Sequence, residues 1–297
     1  MNRHARFFPV GTFVLLLGTS ILASACGQQI VDFLDDSGSD LSASSNDLAG
    51  LGLGGDGGPG DLAFSGDLAG DMAPPCRALQ LDGVHAVVTA GPQSIHNVIG
   101  ALTVEAWVYQ TARGNEAVVA GHWGDPASGT ASYVLSIDST GHAVFRSSPL
   151  GAIGNVVKST DVVPLATWTH VAGQLAPNAF GSDLQVVVSN GTPVSAAYSL
   201  VYSSASVNGV PLHVGRYSTA SPTEEPFTGF LHDVRISSVV RYPSAQPPPV
   251  RLLPDGAAIT LYHFDEASGS NAADASSHAI PAALLQNAQF GVPPVCP

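Results

Sequence analysis

Lysine is almost missing from this chain. Lys158 is the only one in 297 residues, and ten basic side chains face 23 acids, for a formal charge of −13 and a pI near 4.9. Such a balance argues against a phosphate-binding surface, and so against nucleic acid as a partner. Charge of either sign is scarce, at 11% of residues, and cysteine occurs three times. Long amphipathic helical stretches are absent too. What is abundant is glycine (32) and proline (22) beside 45% hydrophobic residues. That mixture is too apolar for a wholly disordered chain and suits many short strands between turns. The length allows two average domains or one large all-β domain.

The first 25 residues read as a signal peptide: Arg3 and Arg6, then an apolar stretch from Phe13 to Leu22 too short and interrupted to span a membrane. Leu22-Ala23-Ser24-Ala25-Cys26 resembles the lipobox of bacterial lipoproteins, although Ala23 stands where leucine is commoner. The resemblance implies cleavage before Cys26, lipidation of its thiol and a membrane anchor in the cell envelope. Gly27 follows in place of an inner-membrane retention aspartate, which favours the outer membrane. Removing residues 1–25 takes away two arginines and no acid, moving the formal charge from −13 to −15. Residues 26–75 form an acidic tether. Nine aspartates, no lysine or arginine, and Asp-Leu-Ala repeats at Asp47, Asp61 and Asp67 with Asp71-Met72-Ala73 give a segment expected to be disordered. As a Gly-rich coil it would reach roughly 40 Å.

The folded region is expected over 76–297. Cys76 and Cys296 lie at its two ends, and an exported compact domain brings its termini close, so the two are expected to pair. Leu102 to Tyr109 alternates strictly, with Leu102, Val104, Ala106 and Val108 on one face and Thr103, Glu105, Trp107 and Tyr109 on the other. In Trp168-Thr169-His170-Val171-Ala172-Gly173, residues 168, 170 and 172 share a face. The strand at Leu184–Val188 then runs into Asn190-Gly191, a hairpin signal. Further strands are expected at 77–81, 85–89, 116–120, 133–137, 143–146, 212–216, 227–236, 259–264 and 283–289, with a turn of helix at 237–241. Asp138-Ser139-Thr140-Gly141 should close a hairpin. A dozen short strands without intervening helices indicate an all-β, two-sheet antiparallel jelly-roll sandwich.

Several blocks, in order, resemble the LamG-like jelly-roll domains of the concanavalin A-like lectin/glucanase fold. They are Leu79-Gln80-Leu81-Asp82-Gly83, Leu102 to Val108, Trp168 to Gly173, Leu212 to Arg216, Phe227 to Ser237 and Leu261 to Glu266. The resemblance implies fold over 76–297 and leaves function to the sites.

No Gly-x-Ser-x-Gly elbow, His-Glu-x-x-His helix or Glu-x-Asp-x-Glu strand occurs. The adjacent pairs Asp265-Glu266 and Glu224-Glu225 would face opposite ways on a strand. The chain is therefore expected not to be an enzyme. His170, His213 and His263 read as packed strand residues. Arg235 and Arg241 read as partners of acids or carbonyls. Among the tryptophans, Trp107 and Trp168 read as core or cleft-wall residues with sugar stacking as the sharper role. Trp123, in His122-Trp123-Gly124-Asp125-Pro126, is expected in an exposed loop and is the better ligand candidate. Asp82 and Asp274 could hold a structural calcium if the ends of the domain meet, and read equally well as turn residues. The expected function is a non-catalytic, lipid-anchored envelope protein whose jelly-roll binds a glycan or surface protein. The alternatives are a polysaccharide hydrolase or lyase with an unfamiliar site, and a purely structural envelope component.

Overall fold

In the computed structural model the described residues are 76–84, 86–148, 155–179, 181–189, 193–198, 207–217 and 225–297. The signal and tether segments, Cys26 and the Asn190-Gly191 turn lie outside them. The strands are β1 (Ala78–Asp82), β2 (Val87–Ala90), β3 (Leu102–Gln110), β4 (Glu116–Trp123), β5 (Ala131–Asp138), β6 (His142–Ser147), β7 (Asn155–Val162) and β8 (Thr169–Asn178). They continue with β9 (Gly181–Val188), β10 (Val194–Tyr198), β11 (Leu212–Val214), β12 (Thr228–Ser237), β13 (Ala258–Tyr262), β14 (Asn271–Ala272), β15 (Ala282–Leu285) and β16 (Gln289–Gly291). Among the described residues, helix is limited to single 3-10 turns at Ser94–His96 and Pro126–Ser128.

Two antiparallel sheets result. Sheet I has the order β10-β9-β8-β3-β12-β1-β16, with β13 also beside β12; sheet II has β14-β15-β2-β11-β4-β5-β6-β7. A bulge in β12 between His232 and Arg235 explains the branch: its first half pairs with β1 and its second half with β13. The inner faces meet in one core. From β3 come Leu102, Val104, Ala106 and Val108, from β8 Val171 and Leu175, and from sheet II Tyr133, Leu135, Ile137 and Phe145. Gly173 lies under Phe145; a Cβ there would come within 2.2 Å of the ring, so only glycine fits. The expected face assignment of β3 and β8 holds, with β8 beginning one residue after Trp168.

The Asp138–Gly141 hairpin forms, with Gly141 at φ 94° donating to the Asp138 carbonyl at 2.9 Å. Cys76 and Cys296 form a disulfide with a Cα–Cα distance of 5.7 Å. Three expectations are corrected. The strand expected at 283–289 is two strands in different sheets, divided where Gln286 takes φ 58°. Residues 237–241 form a bend leaving β12 rather than a helical turn, because Ser237 still pairs with Thr103. Strands β7, β10 and β14 were not expected. Polar residues in β7, among them Lys158, Ser159, Thr160 and Asp161, hide the two inward positions Val157 and Ser159.

Candidate functional site

The outer face of sheet I carries the most charge chemistry and is closed. Thr103, Glu105, Trp107 and Tyr109 point outward from β3, and the segment 238–257, between β12 and β13, is laid across the first three. Thr103 donates to the Val239 carbonyl at 2.6 Å, Gln174 to the Tyr242 carbonyl at 2.9 Å and Arg235 to the Leu253 carbonyl at 2.8 Å. Beneath this strap Glu105 is fully buried. Its Oε1 accepts from Arg235 at 2.8 Å, and its Oε2 accepts from the Tyr242 hydroxyl at 2.6 Å and meets His170 Nε2 at 3.1 Å. Burial alone would raise the Glu105 carboxyl. The His170 hydrogen bond, with His170, Arg235 and Tyr242 acting together, overrules it and holds the group below its usual range. A carboxylate so enclosed is a staple for the strap. Arg241, as expected, pairs with an acid, meeting Asp255 at 2.5 and 2.7 Å.

Trp107 and Trp168 are half-buried on this same face. Each indole N–H is committed to a carbonyl, of Pro249 at 3.2 Å and of Val295 at 2.5 Å. The Trp168 ring also meets Tyr109 and His232, with centroids 5.6 and 6.4 Å away. Both indoles are thus engaged in packing and hydrogen bonding within the chain.

Trp123 is not in an exposed loop. It is the last residue of β4, 6% exposed, packed with Val118, Ala131, Val134 and Tyr217. The turn begins one residue later, at Gly124, because Trp123 still pairs with Ala131 across a bulge. Asp82 and Asp274 act as turn residues. Asp82 accepts from Val84 and Ala86 N–H at 2.9 Å each, and Asn287 donates to it at 2.7 Å. Asp274 accepts from the N–H groups of Leu261, Ser276 and Ile280 and from the Ser276 hydroxyl. Among the described residues no three or more His, Cys, Asp or Glu side chains are grouped to hold a metal.

The outer face of sheet II is open at one end. Glu116 starts β4, Ser136 lies on β5 and Arg146 on β6; register brings them side by side. Glu116 Oε1 receives hydrogen bonds from Ser136, Arg146 and, at 3.4 Å, the Tyr217 hydroxyl. Burial lowers the Arg146 pKa, yet the bond to Glu116 and the surrounding charges carry it above its ordinary value. Glu225 accepts from the Glu116 N–H at 3.0 Å. Its carboxyl is pushed up by burial, pulled back by that N–H and pushed up again by the Glu116 charge, with a net rise.

Beside these groups is a depression of about 430 Å³ lined by Gly83, Arg113, Asn115, Glu116, Glu225 and Thr228. A second, of about 390 Å³, is lined by Gln80, Asp82, Gln286, Asn287 and Gln289. The two share the Asp82–Gly83 turn, where Gly83 takes φ 72° and a Cβ would fall 1.9 Å from the Thr228 hydroxyl. Carboxylates, amides and an arginine on one open rim can exchange hydrogen bonds with a hydroxyl-rich ligand. The sequence reading missed this rim. Its one local signal is that Glu116 and Arg146 occupy polar positions at the ends of apolar strands.

The profile of the concanavalin A-like lectin/glucanase superfamily, in its laminin G form, matches residues 82–245. The chain belongs to this superfamily. A protein from Bacteroides ovatus for which carbohydrate binding has been proposed shares the fold at a TM-score of 0.58 and 14% identity, over 74% of this chain and 61% of that one. The chain thus spans about three-fifths of that protein's length. A heptameric pentraxin from Limulus polyphemus matches at a TM-score of 0.42 and 13% identity, over 56% of this chain and 77% of its own. The CBM40 domain of a Ruminococcus gnavus sialidase, bound to α2,3-sialyllactose, matches at 0.42 and 10% identity, over 55% and 92%. Comparison with curated proteins finds no match. Membership of the superfamily accounts for the sandwich; what the rim does rests on its own residues.

Proposed function

We propose that this chain is a non-catalytic, lipid-anchored envelope protein whose sandwich binds a glycan at the polar rim around the Asp82–Gly83 turn. One observation carries the binding reading: two adjoining open depressions lined by carboxylate, amide and guanidinium side chains. Sugar hydroxyls are both donors and acceptors, so such a mixture suits them better than it suits an apolar ligand. The lipobox-like Leu22 to Cys26 supports the anchor, with residues 26–75 spacing the domain from the membrane.

A glycan array with the full chain tests the reading. Binding that falls on Asn115→Ala or Gln289→Ala supports it. An empty array, or binding unchanged by both substitutions, overturns it. Release of reducing ends from a polysaccharide panel overturns the non-catalytic part. Incorporation of labelled fatty acid that persists in Cys26→Ser overturns the anchor.

A further inference from the structure

Hydrogen-bond supply at the Glu116–Glu225 depression points to a class of glycan. Its cations are committed. Arg146 is held by Glu116 and Ser136, and Arg113 donates to the Gln110 side chain and to the Val163 carbonyl. Its acceptors are not. Glu116 gathers its three side-chain bonds on Oε1, and among the described residues no donor reaches Oε2. Glu225 receives a single backbone N–H on Oε2, leaving Oε1 without a described donor. A ligand here has to supply donors. A uronate, sialate or sulfate would instead place a third anion beside two carboxylates, in a chain already at −13.

Resting on the glycan reading above, we propose that this depression selects glycans bearing free amino groups, with the ligand ammonium seated between Glu116 and Glu225. An ammonium brings three donors and one positive charge, matching the two open carboxylate oxygens and relieving the repulsion between their groups. Burial is the main reason the Glu225 carboxyl is raised; the Glu116 charge adds to the rise, while the Glu116 N–H and Arg146 pull it back. An N-acetylated sugar keeps the hydroxyls and loses the charge, so it is the informative comparison.

Calorimetric titration of the full chain at pH 6 with four tetramers tests this: glucosamine, N-acetylglucosamine, glucose and galacturonate. The glucosamine tetramer should bind about fivefold tighter than the acetylated and neutral ones, the size of a partly exposed ion pair, with the uronate weakest. Glu225→Gln keeps an acceptor for the Glu116 N–H and should level the amine with the neutral tetramers while the circular dichroism spectrum stays unchanged. Glu116→Gln is the second variant, with the same expected levelling. Equal affinity for amine and uronate, or an amine preference that survives both variants, overturns the assignment while leaving glycan binding standing. Failure of all four tetramers to bind overturns it, and the array then decides whether glycan binding falls too.

Discussion

On the outer face of each sheet a glutamate and an arginine from its strands meet a tyrosine from an adjoining loop, and the two sets have opposite fates. In sheet I, Glu105, Arg235 and Tyr242 are joined by His170 and sealed under residues 238–257, with both Glu105 and His170 side chains at 0% exposure. In sheet II, Glu116, Arg146 and Tyr217 make a similar triad, but Arg146 and Glu116 remain 26% and 16% exposed and Glu116 borders an open depression. The same functional groups act as a structural staple where a strap removes water and as a candidate ligand surface where none does. Covering, not residue type, separates the two roles.

The largest break in that comparison should come from Glu105→Ala. It strands Arg235 without its carboxylate inside the closed face and should cost about 3–5 kcal/mol, read by urea unfolding. Removing the Cys76–Cys296 bridge by Cys76→Ser should cost about 2–5 kcal/mol, because residues 76 and 296 then separate freely in the unfolded chain. A Tm unchanged in this variant would contradict it.

Acid tests the buried imidazoles. Burial holds His96 and His213 at about 4, against 6.5 for the free side chain. Around His96 stand His122, Asp274 and His278; around His213 stand Arg216 and His122. Between these values the unfolded chain binds more protons than the folded one. Stability is therefore full above about pH 6.5 and is lost as pH falls toward 4. Each histidine should account for about 2 kcal/mol between pH 7 and pH 5, and His96→Gln should flatten part of that slope. Glu105, with its carboxyl depressed, adds a loss of the same sign at still lower pH.

The smallest effect belongs to the open triad. Glu116→Gln should change stability by about 1 kcal/mol or less and should be sensitive to salt, whereas the cost of Glu105→Ala should be nearly independent of it. Equal salt dependence of the two would erase the distinction.

Much of the fold was legible because a half-buried strand writes its two faces in alternate residues. Leu102, Val104, Ala106 and Val108 could be assigned to the core from order alone, and the Cys76–Cys296 pair followed from where the domain begins and ends. Trp123 was misplaced because Gly124, Asp125 and Pro126 mark a loop, while a bulge lets the strand run one residue further into a cluster with Tyr217. The candidate rim was illegible for another reason. Asp82, Asn115, Glu225 and Asn287 come from four separated turns, each of which alone looks like an ordinary polar connection.

The sequence by itself determined the all-β class, the inward face of each strong strand and the chemistry available at each outward position. Only the tertiary structure decided which outward positions meet water. Alternation is a local property of a few consecutive residues, whereas the strap over Glu105 and the opening beside Glu116 depend on segments more than 100 residues away in the chain.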